Sequence, residues 1–391
     1  MSARACRPRR GRLHLETAAA RPGRLRVHSG ATAAPRGVAD RARRVHHLLM
    51  TGSLPAGRDG GFVDLAREVF LPATPSRCEV RMSAPTPDAP KPLLAGRRRL
   101  APHISVYVFI VVPLLALVAA VPLAWGWGLL HWWDLALAGG WYVVTILGVT
   151  IGFHRYFTHG AFRAKRWLRI TLAVVGSMAV QGPILHWVSD HRRHHAFADR
   201  EGDPHSPWAF GSTPLALARG FWHAHMGWVF ERDLTNQQRF VPDLLADRDI
   251  RTVHRLFGPL TIATLLLPAL MGLLIAGTWW GALTAFFWAG LVRVAFLHHV
   301  TWSVNSICHL VGERPFRSRD KAANFWPLAL LSMGESWHNL HHADPTCARH
   351  GVQRGQIDIS ARLIWVFEKL GWVSHVRWPT PRRLARLASS G

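Results

Sequence analysis

Four stretches of this chain are too long and too apolar to be packed easily in water, and a lipid bilayer is the solvent that suits them. The first runs from about Ile104 to Trp125, and the second ends near Phe153. The third runs from about Leu256 to Gly277 and the fourth from Gly281 to Thr301. Roughly 20 apolar residues cross a hydrocarbon core as a helix. Lipid satisfies no backbone polar group, so each run must close its own hydrogen bonds as a helix. The links through Trp127, His131 and Asp134, and through the aromatic AGTWWG, carry no Lys or Arg, whereas basic residues stand before run one, between runs two and three, and after run four. The positive-inside rule then puts both chain ends on the cytoplasmic side. The expected fold is all-α and integral to the membrane, multi-pass, with four transmembrane helices and a cytoplasmic helical cap.

One further segment, Leu168 to Trp187, is apolar enough to be considered as a span. Gln181, Gly182 and Pro183 interrupt it and basic residues flank it, so it reads as an interfacial helix. Ile359 to Trp372 reads as an amphipathic helix against the cap or lipid. Residues 1–95, rich in Arg, Ala and Pro, read as a disordered tail, with Met82 as an alternative start. Residues 96–378 read as the membrane domain and 379–391 as a basic tail. The formal net charge of +24 invites a nucleic-acid reading, but the arginines crowd the tail and the ends of the apolar runs. That distribution fits a bilayer and excludes nucleic acid as the expected partner.

Histidine is the compositional outlier, at 24 residues against 23 Asp plus Glu. In DHRRHH, His191, His194 and His195 stand at i, i+3 and i+4, on one helical face. His338, His341 and His342 in HNLHH repeat that spacing. HRYFTH places His154 and His159 at the end of run two, and NSICH places Asn305 and His309 just past run four. Five residues along an α-helix is a rotation of about 140°, so His154 and His159 are expected to address two different metals. Nine histidines exceed the four ligands of one structural zinc and suit two ions. Imidazole alone leaves the metal open among Zn, Fe, Cu and Ni. Glu335, three residues before His338, reads as a support that orients an imidazole.

These four motifs, in this order, resemble the histidine boxes of membrane acyl-lipid and acyl-CoA Δ9 desaturases, the stearoyl-CoA desaturase family, of bacterial type without a fused cytochrome b5 domain. The resemblance spans about Arg97 to Trp378. It implies two non-haem iron ions held by all nine histidines, with Asn305 reaching one through water. It implies O2 as co-substrate, two electrons, and a cis double bond introduced into a C16 or C18 acyl chain, carried on CoA or another acyl carrier. The spans would bound a dry tunnel for that chain. Gln181, Trp187 and Thr301 match the family positions that bend it. Tyr142 and Ile146, one turn apart, match the tunnel's closed end, and the bulk of Ile146 predicts a preference for C16. Asp190 and Arg232 match contacts to CoA in animal members, whereas Gly182, Ser189 and Asp233 depart from them.

Among the remaining histidines, His186, His223, His225, His298, His299 and His350 read as packing, surface or ligand support. Arg293, an ionisable group inside run four, reads either as a functional flag or as a snorkelling side chain. The chain carries no haem, flavin or iron–sulfur motif, so electrons are expected from a separate ferredoxin, cytochrome b5-like protein or flavoprotein reductase. Two rival readings are a histidine-box hydroxylase or monooxygenase and a membrane metal transporter. The transporter would place its ligands near mid-membrane.

Overall fold

A computed structural model describes residues 91–97, 100–126 and 128–388. The readings made of residues 1–90, including the start at Met82, lie outside the described residues. The short strand Leu93–Arg97 pairs with Asp233–Thr235, so residues 93–95, which the sequence assigns to the tail, belong to the fold.

Among the described residues, four helices are long and apolar enough to cross a membrane: His103–Ala124, Trp132–Thr158, Phe257–Ala276 and Trp279–His309. The first and third are 22% buried within the protein and the second and fourth 50% and 56%, so the first and third face lipid while the other two form the centre. The central pair, at 27 and 31 residues, is longer than a bilayer requires. Their extra turns emerge from the apolar zone carrying His154 on one and Asn305 and His309 on the other. At their opposite ends buried Asp134 accepts from Thr284 Oγ1 at 3.1 Å, tying spans two and four together.

Both central helices change pitch along their length. Gly148–Thr158 is π-helical, as is Phe286–Val292. Gly148 begins the first π segment where helix Arg166–Ser177 crosses it. A Cβ on Gly148 would sit 2.4 Å from the Gly176 nitrogen, so only glycine permits this approach. Just past the second π segment lies Arg293. It is buried, with Nε donating to the Ala289 carbonyl and a terminal nitrogen to Thr264. It does not snorkel; it braces span four against span three and satisfies a π-segment carbonyl.

The segment from Leu168 to Trp187 stays outside the count of spans. Helix Arg166–Ser177 ends, the chain turns through Val180 and Gly182, both at positive φ, and helix Ile184–Phe197 begins after Pro183. His298 Nε2 lies 3.2 and 3.0 Å from the Ala179 and Val180 carbonyls and holds this break against span four. Helix Ile359–Lys369 packs Ile364 into the core with Phe153, Ile184 and Val188. Residues Pro381–Leu387 form a last helix, so the described part of the basic tail is structured.

Candidate metal centre

The π segment decides the geometry of the first box. Its backbone bonds reach five residues, and the His159 amide donates to the His154 carbonyl at 3.2 Å. Residues i and i+5 therefore stack, and the two imidazoles lie 4.9 Å apart centre to centre. The expectation that they serve two different metals is overturned, because it assumed an α-helical rotation. Both belong to one set: His154, His159, His191, His195 and His341.

The second set is His194, His309, His338 and His342. Within each set one ligand atom per residue lies within 4.8 Å of the others. The repeated H-x2-HH motif explains how one sequence pattern feeds two sets. Helix Ile184–Phe197 gives its i, i+4 pair, His191 and His195, to the five-histidine set and the intervening His194 to the other. Helix His338–Ala343 does the reverse: its i, i+4 pair, His338 and His342, joins the four-histidine set, and His341 crosses over. Asn305 stands one turn before His309, half-buried and facing the same cavity as His338.

Carboxylates back the imidazoles unequally. His194 Nδ1 lies 2.9 Å from Asp203, His309 Nδ1 2.9 Å from Asp199, and His342 Nδ1 2.8 Å from Asp320. In the five-histidine set, His154 Nδ1 lies 2.6 Å from Glu335, which confirms the supporting geometry expected of that residue. Glu335 is in turn held by buried Arg155, whose Nε donates to it at 3.1 Å while another nitrogen meets Asp358 at 3.0 Å. Asp199, Asp203 and Asp320 escaped the sequence reading. They reach the ligands from loops, where no helical period marks them; Asp199 does so from a positive φ that turns the chain back after the helix. His205, 4.2 Å from His194 ring to ring, was missed for the same reason, and His350 packs 4.6 Å from His341.

A carboxylate opposite Nδ1 places the proton there and leaves Nε2 as a lone pair. The Nε2 atoms of His154, His309 and His342 converge with those of His338, His341 and His195, for which no carboxylate backs Nδ1. His342 Nε2 is 3.0 Å from His338 Nε2, and His309 Nε2 is 3.2 Å from it. In the other set His341 Nε2 is 3.0 Å from His154 Nε2 and 2.9 Å from His195 Nε2. His159 Nε2 is buried with no protein partner. So many crowded lone pairs are stable only around cations. Burial, reinforced by neighbouring imidazoles, holds His191, His195, His338, His341 and His342 well below the ordinary histidine range, in the neutral form that ligates metal. His194 is the exception: burial lowers it, but Asp203, with Asp199 and Asp320 beyond it, raises it on balance. The donor set fits two metal ions, and the sets lie where the spans emerge, not at mid-membrane.

A cavity of about 480 Å³ runs from the sets into the span bundle. His154 and His191 border it from one set and His338 from the other. Gln181, Trp187 and Thr301 come together on its wall, with Gln181 donating to Thr301 Oγ1 at 2.8 Å and Trp187 Nε1 donating to Gln181 at 3.1 Å. Ile146 lines the cavity. Tyr142, one turn beyond, is not among the lining residues; it packs with Ile146 and donates to the Leu331 carbonyl at 2.6 Å. Asp190 lines the cavity, and exposed Glu231 and Asp233 form its rim, while Arg232 between them is not part of the lining.

Residues 131–356 match the family model described as fatty acid desaturase. A hex-5-enoyl-[acyl-carrier protein] acetylenase of Moorena producens (strain JHB) is 36% identical over 276 residues, 70% of this chain and 86% of the relative. An sn-1 stearoyl-lipid 9-desaturase of Anabaena variabilis is 33% identical over 270 residues, 67% of this chain and 89% of the relative. An icosanoyl-CoA 5-desaturase of Limnanthes douglasii is 33% identical over 277 residues, 70% of this chain and 72% of the relative. With four membrane helices, histidine sets able to hold metal and this matched span, the chain belongs to the fatty acid desaturase family.

Proposed function

We propose that the protein introduces a cis double bond, at the Δ9 position, into a saturated fatty acyl chain by using O2 and two electrons from a separate donor protein. The observation that carries this reading is the meeting of two imidazole sets on the wall of one largely apolar cavity inside the membrane bundle. The balance is one –CH2–CH2– pair, one O2, two electrons and two protons giving –CH=CH– and two waters. Two iron ions held by the nine histidines, with Asn305 beside His309, would supply the oxidising chemistry when bound. The protein's own part is positioning, which turns a distance along the chain into regioselectivity. Gln181, Trp187 and Thr301, already hydrogen-bonded into one unit, bend the acyl chain below the histidines. Ile146 stops the methyl end, which favours C16 over C18. The apolar walls exclude water from the reacting carbons.

For the acyl carrier we read a glycerolipid in place of the CoA ester expected from the resemblance. Glu231 and Asp233 at the rim, with Asp190 behind them, outnumber Arg193 in the same lining and would repel the CoA phosphates. The relative named for a stearoyl-lipid substrate fits that choice, while those named for acyl-carrier-protein and CoA substrates mark the alternatives. The basic residues at the histidine end of the spans support a cytoplasmic orientation of the site in a bacterial cell membrane.

Expression in a desaturase-deficient host, followed by fatty-acid analysis of separated lipid classes, tests the reading. A monounsaturated Δ9 C16 chain in glycerolipid is the expected product, and His191→Ala abolishes it while leaving the protein in the membrane. A hydroxylated acyl chain as the main product would overturn desaturation.

A further inference from the structure

The four-histidine set lies directly under a surface that the reaction as described leaves without a role. Residues 313–321 pass over it and touch it through three routes. Asp320 meets His342 Nδ1 at 2.8 Å. The Lys321 amide donates to Asp199 at 2.8 Å, and that carboxylate meets His309 Nδ1 at 2.9 Å. Trp208 Nε1 donates to the His309 carbonyl at 2.9 Å, and the ammonium of Lys321 sits 3.0 Å from the centre of the Trp208 ring. A half-buried indole thus connects a ligand residue to the outside in one step.

The same loop is strongly basic: Arg314, Arg317, Arg319 and Lys321 are exposed on it. The last helix adds to this. Phe316 bridges to Ala388 and the Arg317 amide donates to the Leu387 carbonyl at 2.8 Å, which sets the end of the helix that carries exposed Arg382 and Arg386 beside the loop. By contrast, the rim of the acyl cavity carries acids.

We propose that this basic collar is the docking surface for an acidic one-electron carrier protein, and that electrons enter at the four-histidine set by way of Trp208 and the 320–321 turn. The inference rests on the desaturase reading, since it supplies the electrons that reading requires. Each docking would oxidise the carrier by one electron and pass that electron to the metal ions that the histidine sets would hold. Two dockings supply the pair that, with two protons and the two acyl hydrogens, takes O2 to two waters. Electron transfer falls steeply with distance, so contact is useful where a ligand lies one residue below the surface. Charge complementarity then raises the encounter rate and makes it salt-dependent. An anionic lipid surface would also attract these arginines, but it would not call for the loop's three routes to the two ligand residues His309 and His342.

The test uses iron-loaded protein in nanodiscs and follows loss of ferric absorbance in anaerobic stopped flow. Photoreduced plant-type ferredoxin is the probe, and reduced methyl viologen is the control reductant. Arg317→Glu with Arg319→Glu should lower the second-order rate with ferredoxin about tenfold or more at low salt and flatten its salt dependence. Iron content and the rate with methyl viologen should stay at wild-type values. Trp208→Phe should slow reduction at saturating ferredoxin without weakening docking. An unchanged ferredoxin rate and salt slope in the double variant would overturn the proposal. So would a loss seen only with phosphatidylglycerol in the disc and absent in phosphatidylcholine, which would assign the collar to lipid. The two readings fail separately. Double-bond formation with methyl viologen but no charge effect with ferredoxin defeats the collar alone. Charge-dependent reduction with no double bond from any reductant defeats the desaturase reading.

Discussion

The two histidine sets are assembled from the same repeated motif and supported in different ways. In the four-histidine set three imidazoles back onto aspartates delivered by loops. In the five-histidine set one imidazole backs onto Glu335, itself locked into a buried network with Arg155 and Asp358. A carboxylate on Nδ1 makes the imidazole a stronger donor. The four-histidine set is therefore the more electron-rich, and it lies under the basic collar. The five-histidine set depends on a rigid core: a π segment, a glycine crossing and a fully buried arginine. Identical H-x2-HH boxes do not imply equivalent metal positions; what stands behind each ring distinguishes them.

Removing one carboxylate from each side should break the comparison most visibly. Glu335→Gln leaves Arg155 deep in the protein with one of its two carboxylates gone. Breaking a buried ion pair costs about 3–5 kcal/mol, so we expect protein that accumulates poorly and melts early in fluorescence-detected size exclusion. Asp320→Asn alters a group near the surface and should leave the fold in place. Its cost should fall on the ligand instead, at about 10–100-fold in metal affinity or activity, read as iron content under competing chelator. Equal losses of folded protein from both variants would show that the two sets share one support.

This contrast also marks how far the chain could be read before its structure was seen. The second and third boxes were legible, because i, i+3 and i+4 is a local period and any helix places those rings on one side. His154 and His159 were found but assigned apart. The π pitch that stacks them depends on Gly148 meeting Gly176, a tertiary contact without a local signature. Asp199, Asp203 and Asp320 were invisible for a related reason: each crosses a loop to reach its histidine, and acids in loops are common. Gln181, Trp187 and Thr301 came from family resemblance, and the structure joins them by two hydrogen bonds. The four spans needed only length and hydropathy, since lipid leaves a backbone few alternatives.

The cavity offers a milder comparison, between its closed end and its rim. Ile146 lines the cavity, where the proposed reading stops the methyl end, and Tyr142 packs against it. Ile146→Ala deepens the cavity and should move the product from C16 toward C18. A methylene in a fitted pocket is worth about 1–3 kcal/mol, so the C18:C16 ratio should rise about tenfold or more in whole-cell fatty-acid profiles. Tyr142→Phe removes only the bond to the Leu331 carbonyl and should shift the ratio far less. Were Tyr142→Phe to lengthen the product while Ile146→Ala did not, the stop would lie one turn deeper.

At the rim the expected effect is smallest and depends on pH. Partial burial raises the Glu231 carboxyl above the ordinary range; His223 and Arg193 pull it down, and Asp233 pushes it further up. As pH falls from neutrality, Glu231 therefore gains its proton before an ordinary glutamate would, and the rim loses one negative charge. Repulsion of an anionic carrier weakens in the same step. Turnover of palmitoyl-CoA relative to a neutral palmitoyl-galactolipid should rise as pH falls. An exposed charge interaction is worth about 0.2–1 kcal/mol, so the rise should be about 1.4- to fivefold. Glu231→Gln should show the raised ratio at neutral pH and lose that part of the pH dependence. Matching pH profiles in wild type and Glu231→Gln would mean that rim charge does not select the carrier, and the preference for a glycerolipid would then have to come from the shape of the opening.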